Sequence, residues 1–162
     1  MMKKMISSLL LILLLASSLL SCKKKEEAPD PTALAPKNFV INGLSITLTE
    51  GFTPEVEAGQ ELLRASTIVA FLDRVDFSTL AGAADLPLLV FARDYGNAVE
   101  SDGLILLEYS SSGSGEYTYT YFTAFYKGQS AFLALQFACR SELYELYRPF
   151  FVTWAKSARP TV

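Results

Sequence analysis

Three apolar, β-rich stretches follow one another through the C-terminal half of the chain, and they constrain the fold more than any other feature. Leu104 to Tyr109 is the first, Tyr117 to Tyr126 the second and Ala131 to Cys139 the third. Aromatic and β-branched residues suit a pleated, half-buried surface. The second stretch turns into the third at Lys127-Gly128-Gln129, and Ser110 to Gly115 forms a Ser/Gly loop before it. Alternate side chains of a strand point to opposite faces. Leu133, Leu135, Phe137 and Cys139 therefore share one face, and Phe132, Ala134, Gln136 and Ala138 the other. Consecutive strands with short connections form an antiparallel meander.

Asn38 to Thr49 adds a hairpin, because Asn42-Gly43 between apolar residues is a strong two-residue turn signal. Leu44, Ile46 and Leu48 alternate with Ser45, Thr47 and Thr49, which places one face of that strand inward. Glu50 to Pro54 ends it, and the acidic Glu55 to Gln60 reads as a loop. Leu62 to Phe77 reads as one strand, and the small residues 78–84 as a loop. Asp85 to Tyr95 has helical spacing: Leu88, Phe91, Ala92 and Tyr95 share a face, with Asp85 as N-cap and Gly96-Asn97 as closure. A second amphipathic helix starts at Ser141 and carries Leu143, Tyr147, Phe150, Phe151, Trp154 and Ala158 on one face. Pro149 either kinks it or opens a second segment, and Arg159-Pro160 stops it.

Helices packed on an antiparallel sheet make an α+β domain. The order of elements, carried by Leu44–Phe52, Tyr117–Tyr126, Phe132–Cys139 and Tyr144–Ser157, resembles PsbP-like domains over residues 38–158. That resemblance implies a sandwich fold and a non-catalytic accessory or binding role, and no photosynthetic one.

The N-terminus is of a different kind. Met1-Met2-Lys3-Lys4 precedes an apolar run of about 16 residues, Met5 to Leu20, short of the roughly 20 that a spanning helix needs. A basic end, a short apolar core and a small residue read as a secretory signal. Leu19-Leu20-Ser21-Cys22 resembles the lipobox of bacterial lipoproteins. The resemblance implies cleavage before Cys22 and acylation of Cys22, with two or three chains giving a stable anchor. The expected organisation is a signal peptide over 1–21, a lipidated tether over 22–37 and one globular domain over 38–162. The tether is charged and proline-rich, too poor in large apolar side chains to fold. By resemblance Lys23, where enterobacterial lipoproteins retained in the inner membrane carry aspartate, favours the outer membrane. Which face of that membrane the domain occupies stays open.

Composition narrows the chemistry. The chain has no histidine, so His-based acid–base catalysis, Ser-His and Cys-His nucleophiles and His-containing zinc sites are excluded. The net charge of −3 becomes more negative once Lys3 and Lys4 leave with the signal, which gives no electrostatic footprint for nucleic acid. With Cys22 lipidated, Cys139 has no internal disulfide partner and reads as a buried core residue. Asp73 and Asp76, or Asp94, Glu100 and Asp102, lack the spacing of a calcium loop and read as surface acids. No cofactor and no metal site is expected.

One row stands out. Strand alternation places Tyr117, Tyr119 and Tyr121 on one face, with Thr118, Thr120 and Phe122 on the other. Facing solvent, the tyrosines would bind a partner or a glycan; covered, they are core or a cross-strand ladder, which is the preferred reading. The leading function is a non-catalytic envelope module that binds a partner or helps assemble a complex. The alternatives are a carrier with an apolar cavity between sheet and helices, and a hydrolase built on converging carboxylates.

Overall fold

The structure is a computed structural model that describes residues 30–112 and 117–162. The expected signal peptide, Cys22 and residues 22–29 of the expected tether lie outside them. Among the described residues, two antiparallel sheets and two α-helices form the α+β architecture expected from the sequence. β1 (Pro36–Ile41) and β2 (Leu44–Thr49) make a hairpin whose turn, Asn42-Gly43, has φ of 41° and 91°. Only residues tolerant of the left-handed region close such a two-residue turn.

β3 (Thr53–Glu57), β4 (Gln60–Ala65) and β5 (Ile68–Asp76) begin the large sheet. The short α1 (Leu88–Arg93) follows, then β6 (Val99–Ser101), β7 (Leu104–Ser112), β8 (Thr118–Lys127) and β9 (Ala131–Arg140). α2 (Ser141–Ser157) and β10 (Arg159–Pro160) close the fold. The large sheet has the order β3-β4-β5-β9-β8-β7-β6, and β10 pairs with β2 to make a small sheet, β1-β2-β10. The β7-β8-β9 meander is thus present, with β5 returning beside β9 over the full register Ile68↔Cys139 to Asp76↔Ala131.

Several expectations need correction. The stretch 62–77 is two strands, because Ser66-Thr67 forms a tight turn with Ser66 at φ 24°. No Gly or Asn marks that turn, so composition reads straight through it. Residues 55–60 are a strand, a turn and the start of β4 rather than a loop. β3 is an edge strand, so its side chains gain little burial and Val56 stays 72% exposed. Its Pro54 is tolerated because edge strands leave one side of the backbone unpaired. α1 begins three residues later than expected, with Asp85 in a preceding 3-10 turn, Ala83–Asp85. Leu86 precedes Pro87 and is extended at φ −68° and ψ 127°, the restriction that proline imposes on its neighbour. Asp85 therefore cannot cap the helix, and Pro87 occupies the N-cap.

The domain also begins earlier than residue 38. Thr49 Oγ1 donates to the Pro31 carbonyl at 2.5 Å, and Glu50 N donates to the Ala35 carbonyl at 2.8 Å. This part of the expected tether is packed against β2.

The layers follow from alternation. On one face of the large sheet, Leu106, Phe122, Ala124, Leu133, Leu135, Phe137 and Cys139 pack with Tyr147, Phe151 and Trp154 of α2 and with Leu44, Ile46 and Leu48 of β2. Phe137 and Phe151 stack at 5.0 Å between centroids. On the opposite face, Phe91 and Ala92 of α1 cover Leu107, Phe125, Phe132 and Ala134. α2 runs unbroken through Pro149, which lies exposed on its outer side. Gln129 N donates to the Val162 carbonyl at 2.6 Å and Thr161 N to the Gly43 carbonyl at 2.8 Å, so the last residues clip the two sheets together. Val162 lies so close over Gly43 and Gly128 that a Cβ at either would collide with it.

Candidate binding site

The α1 face of the large sheet is apolar at one end and polar at its centre. β9 is a central strand, and both of its faces are buried. Position 136 interrupts the apolar series with an amide. Gln136 is 5% exposed, and its Nε2 donates to Thr123 Oγ1 at 2.6 Å and to Tyr109 Oη at 3.0 Å. Its Oε1 is buried with no hydrogen-bond partner among the described residues. A buried unpaired carbonyl costs about 1–3 kcal/mol.

Next along the sheet, Tyr95 Oη donates to Asp73 Oδ2 at 2.7 Å. Tyr95 reaches this point because it follows α1 and packs its ring on Phe91 and Phe125. Burial, then the charge of Asp73 and the hydrogen bond to it, hold the Tyr95 hydroxyl well above the usual phenol range. Burial likewise raises Tyr109, with the Gln136 contact opposing the shift. Phe71, Asp73, Tyr95, Leu107, Tyr109, Thr123, Ala134 and Gln136 together line a cavity of about 20 Å³. Asp73 also borders a polar surface hollow of about 470 Å³ that Asn42, Gln60, Glu61 and Arg74 help to line. The hollow opens where β4–β5 pairing stops at Leu62↔Phe71 while β5 runs on along β9.

The tyrosine row lies on this same face. Tyr119 and Tyr121 are 3% and 2% exposed and pack with Leu62, Val69, Phe71 and Ala138. Tyr121 stacks on Tyr109 at 4.8 Å, and burial with its tyrosine neighbours pushes its hydroxyl up to about 12. Tyr117 is half-buried, with the Arg140 guanidinium 4.0 Å over its ring. The structure therefore places Tyr119 and Tyr121 in a cross-strand core ladder and leaves Tyr117 as the accessible member.

The other singled-out residues are engaged elsewhere. Cys139 is fully buried on the α2 face, and burial pushes its thiol up to about 12. Asp76 pairs with Arg74 at 2.7 Å and Asp102 with Arg148 at 3.2 Å. Among the described residues no group of three Cys, Asp or Glu side chains could hold a metal ion. An open groove of about 720 Å³ runs between α1 and the β6–β7 turn, with Glu100, Asp102 and Lys127 on its walls. Lys127 is committed there, donating to the Ala84 and Leu86 carbonyls at 2.7 and 3.0 Å. Sequence reasoning missed Gln136 and Asp73 as a pair. The only signal was an amide inside an otherwise apolar strand.

No family model matches the chain, and no curated protein matches it. Several solved structures are similar to it. The solution structure of cyanobacterial PsbP (CyanoP) from Synechocystis sp. PCC 6803 aligns at TM-score 0.52 and 11% identity, over 85% of this chain and 98% of that one. A crystal structure of a protein from Bacteroides thetaiotaomicron VPI-5482 aligns at TM-score 0.53 and 12% identity, over 76% of this chain. This chain spans about half of that one, 48%. The molecule is thus an α+β sandwich, and its globular fold is PsbP-like. At these identities the likeness is one of fold and carries no activity with it.

Proposed function

We propose that the chain is a cell-envelope lipoprotein, anchored through acyl groups on Cys22, whose PsbP-like domain is a non-catalytic binding or accessory module. The observation that carries the reading is Leu19-Leu20-Ser21-Cys22 at the end of a short apolar run. Cys22 lies nine residues ahead of Pro31, where the packed domain is already engaged. Several of the domain's charged side chains serve structure, which supports a binding role. Glu108 takes Arg148 at 2.8 Å and the Tyr144 hydroxyl, and Arg64 takes Glu55 and Glu57. Such groups are tied down rather than poised beside a reacting centre. Lys23 favours the outer membrane. The partner is an envelope protein, and Tyr117 under Arg140 marks the part of the tyrosine row open to it.

Two measurements test this. Cells expressing the chain are grown with a labelled fatty acid, and wild type is expected to take up label while Cys22→Ala does not. Equal labelling of both would end the lipoprotein reading. In-cell crosslinking and pull-down should then recover a specific envelope protein with wild type and less of it with Tyr117→Ala. Recovery of none would end the partner-binding reading.

A further inference from the structure

The cavity beside Gln136 is built for a hydrogen-bond donor. Two of its polar groups accept without donating, the unpaired Gln136 Oε1 and the Asp73 carboxylate; the hydroxyls of Thr123 and Tyr109, which accept from Gln136 Nε2, complete its polar lining. The Tyr95 hydroxyl, which could have donated into it, is spent on Asp73. Asp73 forms no salt bridge among the described residues; its neighbour Arg74 is committed to Asp76 and Arg64 to Glu55 and Glu57. Phe71, Tyr95 and Tyr109 supply aromatic walls. About 20 Å³ exceeds the roughly 10–15 Å³ that one water-sized group needs, and falls far short of a drug-sized ligand's 300–1,000 Å³.

The geometry points to a site for a small protonated primary amine, its ammonium group held in the cavity by Gln136 Oε1 and Asp73 and its polar remainder in the adjoining hollow. An ammonium is water-sized, donates only and carries the charge that Asp73 lacks opposite it. The hollow's Asn42, Gln60 and Glu61 suit a hydroxyl- or amide-bearing body. An uncharged donor such as water fits the volume but brings no positive charge to the carboxylate.

The test is an NMR titration of the isotope-labelled full chain in detergent micelles. The probes are methylammonium and ethanolammonium chloride, with ethanol, sodium acetate and tetramethylammonium chloride as controls at matched ionic strength. Saturable shifts at the Gln136 side-chain amide and at the Phe71 and Tyr109 backbone amides are expected with the two primary amines only. Asp73→Asn keeps the Tyr95 hydrogen bond and should weaken the response at least tenfold while leaving the spectrum dispersed. No saturable shift with either amine, or an equal response to ethanol or tetramethylammonium, overturns the proposal using wild type alone. A folded Asp73→Asn that binds as tightly does so as well.

Discussion

Ala58 adopts φ 52° in the β3–β4 turn and is followed by Gly59 at 81°. The left-handed region costs an ordinary L-residue about 1–2 kcal/mol, and asparagine much less. Nothing lies over the neighbouring Gly59, so the turn is open to solvent. Ala58→Asn is therefore expected to raise unfolding stability by about 0.5–1 kcal/mol, seen as a higher urea midpoint at constant slope. A lower midpoint would contradict the strain assigned to Ala58. Cys139 gives a second prediction at this scale. Its thiol is buried among Leu133, Leu135 and Phe137 and pushed up to about 12. Thiolate is the reactive form, so iodoacetamide at mildly alkaline pH should leave it unmodified by mass spectrometry until urea unfolds the domain. Rapid labelling of the native protein would place it at the surface instead.

α2 shows how one element is fastened. Its aromatic side packs on the large sheet, and a charge-assisted fork adds a directional tie to that packing. Glu108, projecting from β7, receives the Tyr144 hydroxyl and both Nε and Nη2 of Arg148, the latter at 2.8 Å. This fork fixes the helix along its axis. Glu108→Leu strands the Tyr144 hydroxyl and half of the Arg148 guanidinium, and should cost about 1–3 kcal/mol in chemical denaturation. A loss below about 0.5 kcal/mol would show that packing alone positions α2. The β6–β7 hairpin is instructive in the opposite sense. Asp102 and Gly103 have φ of 56° and 74°, the pair that a two-residue turn requires. Asp-Gly is a strong hairpin signal, yet this turn was missed at the level of sequence, because β6 is only Val99–Ser101 and carries no alternating apolar run.

The whole molecule is expected to lose stability in alkali, because burial raises several acidic hydroxyls and one thiol together. Tyr95, Tyr109, Tyr126 and Tyr144 are raised, and Tyr121 and Cys139 reach about 12. In the unfolded chain tyrosine titrates near ~10 and cysteine near ~8.5. The folded state therefore keeps protons that the unfolded chain releases. Their contribution to stability is intact below about pH 8.5 and is lost as pH rises through the folded values. The expected result is a flat stability below that point and cooperative unfolding at high pH, with tyrosinate absorbance rising together with loss of circular dichroism. Most of the tyrosinate absorbance appearing well before unfolding would mean that these hydroxyls reach solvent in the native state.

The sequence by itself determined what local periodicity can encode. Alternation assigned both faces of β8 and β9, Asn42-Gly43 placed the first hairpin, and the spacing from Leu143 to Trp154 identified the face of α2. Those features depend on neighbours in the chain, which is why they were legible. The tertiary structure alone decided what lies across each face and which strands pair at long range. β3 has little apolar pattern, because an edge strand is held by pairing with β4 and by Arg64 reaching Glu55 and Glu57 at 2.8 and 2.9 Å. The Ser66-Thr67 turn carries no turn residue that composition would flag. The Asp73, Tyr95, Tyr109 and Gln136 site joins four separate segments, and no spacing rule connects them. Alternation tells which side chains share a face. Whether that face meets water, a helix or a ligand is settled only when distant segments fold over it.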